Sequence, residues 1–230
     1  MTANPTTIEM IKVIAKALDE LNDHAVFVGG ATVPFYLTEL FASQARPTED
    51  IDVVMEIVGY KQNSINEEVL RQKGFKNDTR QGAPMCRWIY RDYTVDIMSS
   101  DISAFGFTNK WYKEGIERSI EVSNNPVSIK IFSLPYFIAS KLEAFKNRGK
   151  NDYRGSSDME DIISVLEVAP PEMLEEMKDQ CSESLIAYLN SEFKKLLTTS
   201  DFIDALPGSI FNRGNESYAV QRIKERLENF

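Results

Sequence analysis

The chain has 230 residues, 43% hydrophobic and 27% charged, enough for one large core or two smaller ones, since single cores stop growing above about 250 residues. Its formal net charge of −9 argues against a broad nucleic-acid track, which needs a basic face, but leaves room for a small basic pocket or a nucleotide held through a metal and carboxylates. Two distant cysteines, Cys86 and Cys181, and one histidine, His24, exclude a disulfide framework, a zinc-ligand spacing and any site built on several imidazoles.

No apolar run approaches the roughly 20 residues that span a bilayer, and "MTANPTTIEM" lacks the basic-then-apolar layout of a signal peptide, so a cytoplasmic protein without membrane contact is expected. The first segment, 6–21, reads as a helix: Thr6 and Glu9 form a capping-box pattern, and Ile8, Ile11, Ile14, Leu18 and Leu21 share one face. A short buried strand, "HAVFVGG", follows and ends on Gly29-Gly30. A helix is expected over 31–41, with Pro34 in its first turn, then a β-branched strand, "IDVVMEI". "NSINEEVLRQKGF" reads as a helix stopped by Gly74, and 85–98 as an antiparallel hairpin about the polar turn Arg91-Asp92. A small helix at "NKWYKEGIERS" and strands at "IEV" and "VSIKIF" complete this half.

Beyond Leu134 the periodicity is helical, with segments near 135–147, 157–168, 171–180, 184–198 and 216–228, punctuated by Gly149, Gly155, Pro170-Pro171 and Pro207-Gly208. The expected architecture is α+β, with a mixed-sheet domain over 1–133 and a helical domain over 134–230. No internal repeat or low-complexity tract is present.

Asp50 and Asp52 stand two apart in a strand and so project to one face. Like charges at that separation repel unless a cation or shared proton relieves them, and Mg²⁺ suits hard oxygen ligands of this kind. Asp96, between Val95 and Ile97 in an otherwise apolar strand, needs a partner to be buried there and is the candidate third carboxylate. Taken singly, each has a plainer reading: a solvated acidic pair, a lone strand aspartate, and for Gly29-Gly30 an ordinary strand-to-helix turn. Taken together, strand, glycine turn, helix and D-x-D strand bring backbone phosphate donors and metal ligands to one end of a sheet. Lys141, Phe145 and Arg148 lie near one face of a helix that is either a solvated amphipathic surface or a reach toward anionic phosphates. Trp111 and Tyr112 offer rings to stack a base, though packing is the more ordinary use; His24 is given no chemistry.

These residues resemble the nucleotidyltransferase superfamily of polymerase-beta-like enzymes: a strand ending in Gly-Gly or Gly-Ser, a D-x-D strand, then a third acidic strand. More narrowly, "VGGATVPFY", "RPTEDIDVV", "VDIM", "FTNKWY", "LPYFIASKLEAFKNRGKNDYRGSSDMEDI" and "FIDALPG" resemble the AbiEii-type toxin nucleotidyltransferases. The resemblance implies the nucleotidyltransferase-type mixed sheet with flanking helices, followed by a helical bundle. It makes Gly29 and Gly30 contacts to the nucleotide phosphates, Asp50 and Asp52 ligands of Mg²⁺ or Mn²⁺, and Asp96 the third ligand and general base. Lys141 becomes the helix lysine that contacts the triphosphate, while Arg46, Thr48 and Arg148 fall among the phosphate contacts. The pattern departs after Arg148, where a longer loop leaves the downstream acidic role among Asp152, Asp158 and Asp161, with Asp158 or Asp161 preferred.

The implied activity is metal-dependent transfer of a nucleoside monophosphate from an NTP to an acceptor hydroxyl, on a tRNA 3′ end or a protein, as in toxin–antitoxin or abortive-infection toxins held by a cognate antitoxin. Net acidity weighs against an extended RNA contact. The alternatives are transfer to a small molecule such as an antibiotic, and a non-catalytic nucleotide-binding protein of the same fold.

Overall fold

Among the described residues seven strands hydrogen-bond into one mixed sheet. The structure, a computed structural model, describes residues 6–56, 59–100, 109–124, 126–211 and 213–230, and for 59–65 and 124 the backbone alone. Phe107 and Thr108 of the "FTNKWY" stretch lie outside the described residues. The strands are β1 (Ala25–Val28), β2 (Asp50–Met55), β3 (Lys76–Asn77), β4 (Arg87–Tyr90), β5 (Tyr93–Ser99), β6 (Ile120–Asn124) and β7 (Val127–Ile131), in the order β3-β4-β5-β2-β1-β7-β6. β2 runs parallel to β5 and antiparallel to β1; β1 runs parallel to β7; the β3–β4, β4–β5 and β6–β7 pairs are antiparallel.

The described helices are α1 (Thr7–Leu18), α2 (Glu39–Ala42), α3 (Gly59–Gln72), α4 (Tyr112–Glu117), α5 (Leu134–Arg148), α6 (Ser157–Val168), α7 (Pro171–Glu175), α8 (Glu183–Thr198), α9 (Ser200–Ser209) and α10 (Glu216–Glu228). α1 forms where the capping box predicts: Glu9 N donates to Thr6 Oγ1 (3.3 Å) and Thr6 N to Glu9 Oε2 (2.8 Å). It buries Ile11, Ile14, Ala15 and Leu18, then tightens into a 3₁₀ helix, Asp19–His24. The helix expected over 31–41 is instead a 3₁₀ helix, Gly30–Tyr36, followed by the single turn α2, with Pro34 inside the former. The segment expected over 171–180 is helical only through Glu175. Pro207 and Gly208, expected to interrupt, fall inside α9 near its end.

The chain forms two compact units: Met1–Thr32 with Pro47–Phe132, which holds the whole sheet, and Val33–Arg46 with Ser133–Phe230. Val33–Arg46 belongs with the helices because its rings and backbone pack there. Tyr36 stacks on Phe137 (4.6 Å between centroids), Phe41 on Phe211 (5.6 Å), and Thr38 N donates to Val168 O (3.3 Å). In this unit α5 packs on α6 and α8, and α10 on the same two helices. Arg222 and Arg226 of α10 cap the last carbonyls of α6, Leu166 O and Glu167 O, where cationic groups oppose the negative helix end. Burial and the neighbouring Arg222 charge push the Arg226 guanidinium down to about 10.

Candidate functional site

The alternation of β2 decides how its acids face. Ile51 and Val53 are fully buried, whereas Asp50 and Asp52, on the opposite side of the strand, are only half-buried. In the parallel pairing with β5, Asp52 stands beside Asp96 and Asp50 beside Thr94, so three carboxylates share one face of two adjacent strands. Asp96 is 8% exposed, and a charge buried to that degree needs a counter-ion.

That counter-ion is Arg87, which the sequence reading did not single out. The β4–β5 hairpin sets Arg87 directly across from Asp96. Its Nε and Nη2 donate to the two Asp96 oxygens at 2.8 and 2.6 Å, and Nη2 also reaches Asp50 Oδ2 at 3.2 Å. The bidentate fork is the strong geometry for a guanidinium on a carboxylate, and the bond to Asp96 holds Arg87 above its already high ordinary pKa. The signal was present in the sequence: counting outward from the Arg91-Asp92 turn pairs Tyr90 with Tyr93 and Arg87 with Asp96.

Gly29 closes β1 with φ +72°, a conformation that costs a side-chain-bearing residue about 1–2 kcal/mol. A Cβ there would also collide with the Asp52 carboxylate, so the bare backbone is what lets the turn lie against the acid. Gly30 opens the 3₁₀ helix, and Thr32 ties the turn by donating from N and Oγ1 to Gly29 O (3.2 and 2.9 Å). The Thr48 hydroxyl donates to Asp50 O (3.1 Å), fixing the entry into β2. Cys86, beside Arg87 in sequence, is buried; desolvation and then the Asp96 charge push its thiol up to about 11, leaving it protonated at neutral pH.

The remaining expected site residues gather in the helical unit. Lys141 of α5 is 5% exposed, and its Nζ lies 3.1 Å from Asp158 Oδ1 and 2.6 Å from Asp161 Oδ2, both on α6. Arg148, about two turns further along the same helix face, donates from Nε and Nη2 to the two Asp158 oxygens, each at 2.8 Å. Arg46 approaches Asp161 at 3.6 Å and Glu160 at 3.7 Å. Asp152 serves its own loop instead, accepting from Gly155 N (2.8 Å) and Arg154 N (3.2 Å). Burial opposes the charged form of Lys141, but Asp161 and then Asp158 outweigh it and hold the ammonium above its ordinary range. Trp111 is buried, and the Tyr112 ring packs edge-on to Phe132 (6.0 Å).

Among the described residues no three His, Cys, Asp or Glu side chains meet closely enough to hold a metal ion. Asp50 and Asp96 converge on a guanidinium instead. What the three share is donor chemistry: carboxylates on one face of two adjacent strands, beside a glycine that leaves Asp52 room, are hard oxygen donors of the kind divalent cations take.

The sequence matches no family model and no curated protein. Its structure is similar to the crystal structure of an antigenic nucleotidyltransferase-like protein from Paracoccidioides brasiliensis, with a TM-score of 0.52 and 18% identity over 94% of this chain and 92% of that one. The fold is nucleotidyltransferase-like. At this identity the likeness concerns the α+β architecture alone. Cys86 and Cys181 form no disulfide, and among the described residues no helix is long and apolar enough to cross a membrane.

Proposed function

We propose that the chain transfers a nucleoside monophosphate from an NTP to an acceptor hydroxyl, releasing pyrophosphate. The observation that carries this reading is the shared face of Asp50, Asp52 and Asp96 against the Gly29 turn, within a nucleotidyltransferase-like fold. Asp50, Asp52 and Asp96 would hold Mg²⁺ or Mn²⁺, which when bound neutralises phosphate oxygens and makes a coordinated hydroxyl easier to deprotonate. The chain's own part is positional and acid–base. Gly29 and Gly30 let a phosphate approach the backbone, and Asp96, when not clamped by Arg87, is the carboxylate to accept the acceptor's proton. The finer reading, an acceptor on a tRNA 3′ end or a protein and a toxin restrained by an antitoxin, rests on the motif resemblance. The charge of −9 favours a protein or small-molecule hydroxyl over an extended RNA.

A second reading has one observation in its favour. The Arg87 clamp satisfies Asp96 and Asp50 without any metal, as in a nucleotide-binding protein whose acids are structural. Incubating the protein with each labelled NTP, Mg²⁺ and either total tRNA or cell extract separates the two. Covalent label on an acceptor is expected; a folded protein that transfers label from none of the four NTPs supports the second reading and overturns the first.

A further inference from the structure

We propose that Arg87 is a built-in counter-cation that competes with the divalent metal: it clamps Asp96 and Asp50 while the acidic face is empty and must release them when metal binds. This rests on the reading of Asp50, Asp52 and Asp96 as metal ligands. The geometry motivates it in three ways. Three carboxylates on neighbouring strands repel one another, and the Arg87 guanidinium is set between two of them, Asp96 and Asp50. Its contacts are not shared equally: Asp96 receives two short bonds and Asp50 one longer bond of 3.2 Å, so the clamp occupies oxygens on both strands that a metal would need. Arg87 also sits at the first residue of β4, just after the turn in which Arg87 N donates to Pro84 O (3.0 Å), and its side chain is 26% exposed. A long side chain at a strand end, partly in solvent, has somewhere to go without unmaking the β4–β5 ladder.

Metal affinity in the wild-type chain is therefore the intrinsic affinity of the carboxylates reduced by the cost of opening the clamp. Charge-assisted bonds of this kind are strong enough that removing them should tighten binding about tenfold or more. Arg87 is thus a positioning residue for the acids, and it sets the metal concentration at which they become available.

The test is a Mn²⁺ titration of the metal-stripped full chain, following the free aqueous ion by electron paramagnetic resonance, for wild type, Arg87→Met and Asp52→Asn. Mn²⁺ binding that is lost in Asp52→Asn and at least about tenfold tighter in Arg87→Met is the expected result. Equal or weaker binding in Arg87→Met, with the Asp52 dependence intact, overturns the clamp and leaves the metal reading standing. Binding that Asp52→Asn leaves as tight as in wild type overturns the metal reading and the clamp with it. Should Arg87→Met not fold, the wild-type chain answers by NMR, with the Arg87 Nε–H signal assigned by its loss in Arg87→Lys. The signal is expected to move on saturation with Mg²⁺, and a signal unchanged at saturation overturns the proposal.

Discussion

Asp52 of β2 lies against Gly29, the residue that follows β1, so closely that the glycine has no room for a Cβ, and the same backbone position has φ +72°. Two independent constraints therefore require glycine at the one residue that joins the first strand to the acidic face. Gly29→Ala should cost about 1–2 kcal/mol for the left-handed backbone alone, and more for the collision. In urea unfolding, adding Asp52→Ala should recover the collision part and leave the backbone part, so the double variant lies between Gly29→Ala and Asp52→Ala. Full additivity of the two changes would show that the contact is not felt.

Asp52→Ala separates chemistry from folding. Removing one of three neighbouring carboxylates relieves repulsion, so the melting temperature should hold or rise. Transfer from labelled NTP should fall about a hundredfold or more, since the remaining two acids cannot complete the ligand set. Retained activity would remove Asp52 from the site.

Lys141 is where stability and function give opposite signatures. Its ammonium is buried between Asp158 and Asp161, so Lys141→Met strands charge in the interior and should destabilise by about 3–5 kcal/mol, as breaking one side of a buried pair does. Adding Asp161→Asn should restore part of the loss. If Lys141→Met instead unfolds like wild type while KM for NTP rises, the lysine's work is on the triphosphate.

Much of this was written in the sequence, and the omissions have physical reasons. The period of two in "EDIDVV" placed Asp50 and Asp52 on one face, and the hairpin about Arg91-Asp92 was legible from its apolar flanks. Arg87 was equally legible, because a fixed turn fixes the register, but it draws no notice until Asp96 is recognised as needing a partner. The 3₁₀ helix at Gly30–Tyr36 was not readable, since Pro34 is compatible with either kind of helix. α9 was missed because Pro207-Gly208 looks like a stop, yet so near the helix end the proline removes one hydrogen bond and leaves the buried face of Phe202, Ala205 and Leu206 intact. The partners of Lys141 lie a helix away, and a sequence of polar loop residues gives no register that would pair them.

The buried pair also fixes a pH signature. Burial works against the charged form of Asp158, but the two Arg148 bonds and then the Lys141 charge outweigh it and hold its carboxyl below the ordinary range. A folded pKa below the unfolded value of about 3.9 means the contribution is fully present above that value and is lost as pH falls through the folded one. Lys141 has the opposite sign: its folded pKa is raised, so its contribution is complete below about 10.5 and fades only as pH climbs through the folded value. Between about pH 5 and pH 9 neither group changes charge in either state. The unfolding free-energy difference between wild type and Asp158→Asn should therefore be flat across that window. It should shrink steadily once the pH drops below about 4, as the unfolded chain takes up the proton that the folded chain refuses. Denaturant unfolding of both proteins at closely spaced pH values measures this directly. A difference that stays constant down to about pH 2.5, or widens on acidification, would mean that Asp158 is not held as a carboxylate by Arg148 and Lys141.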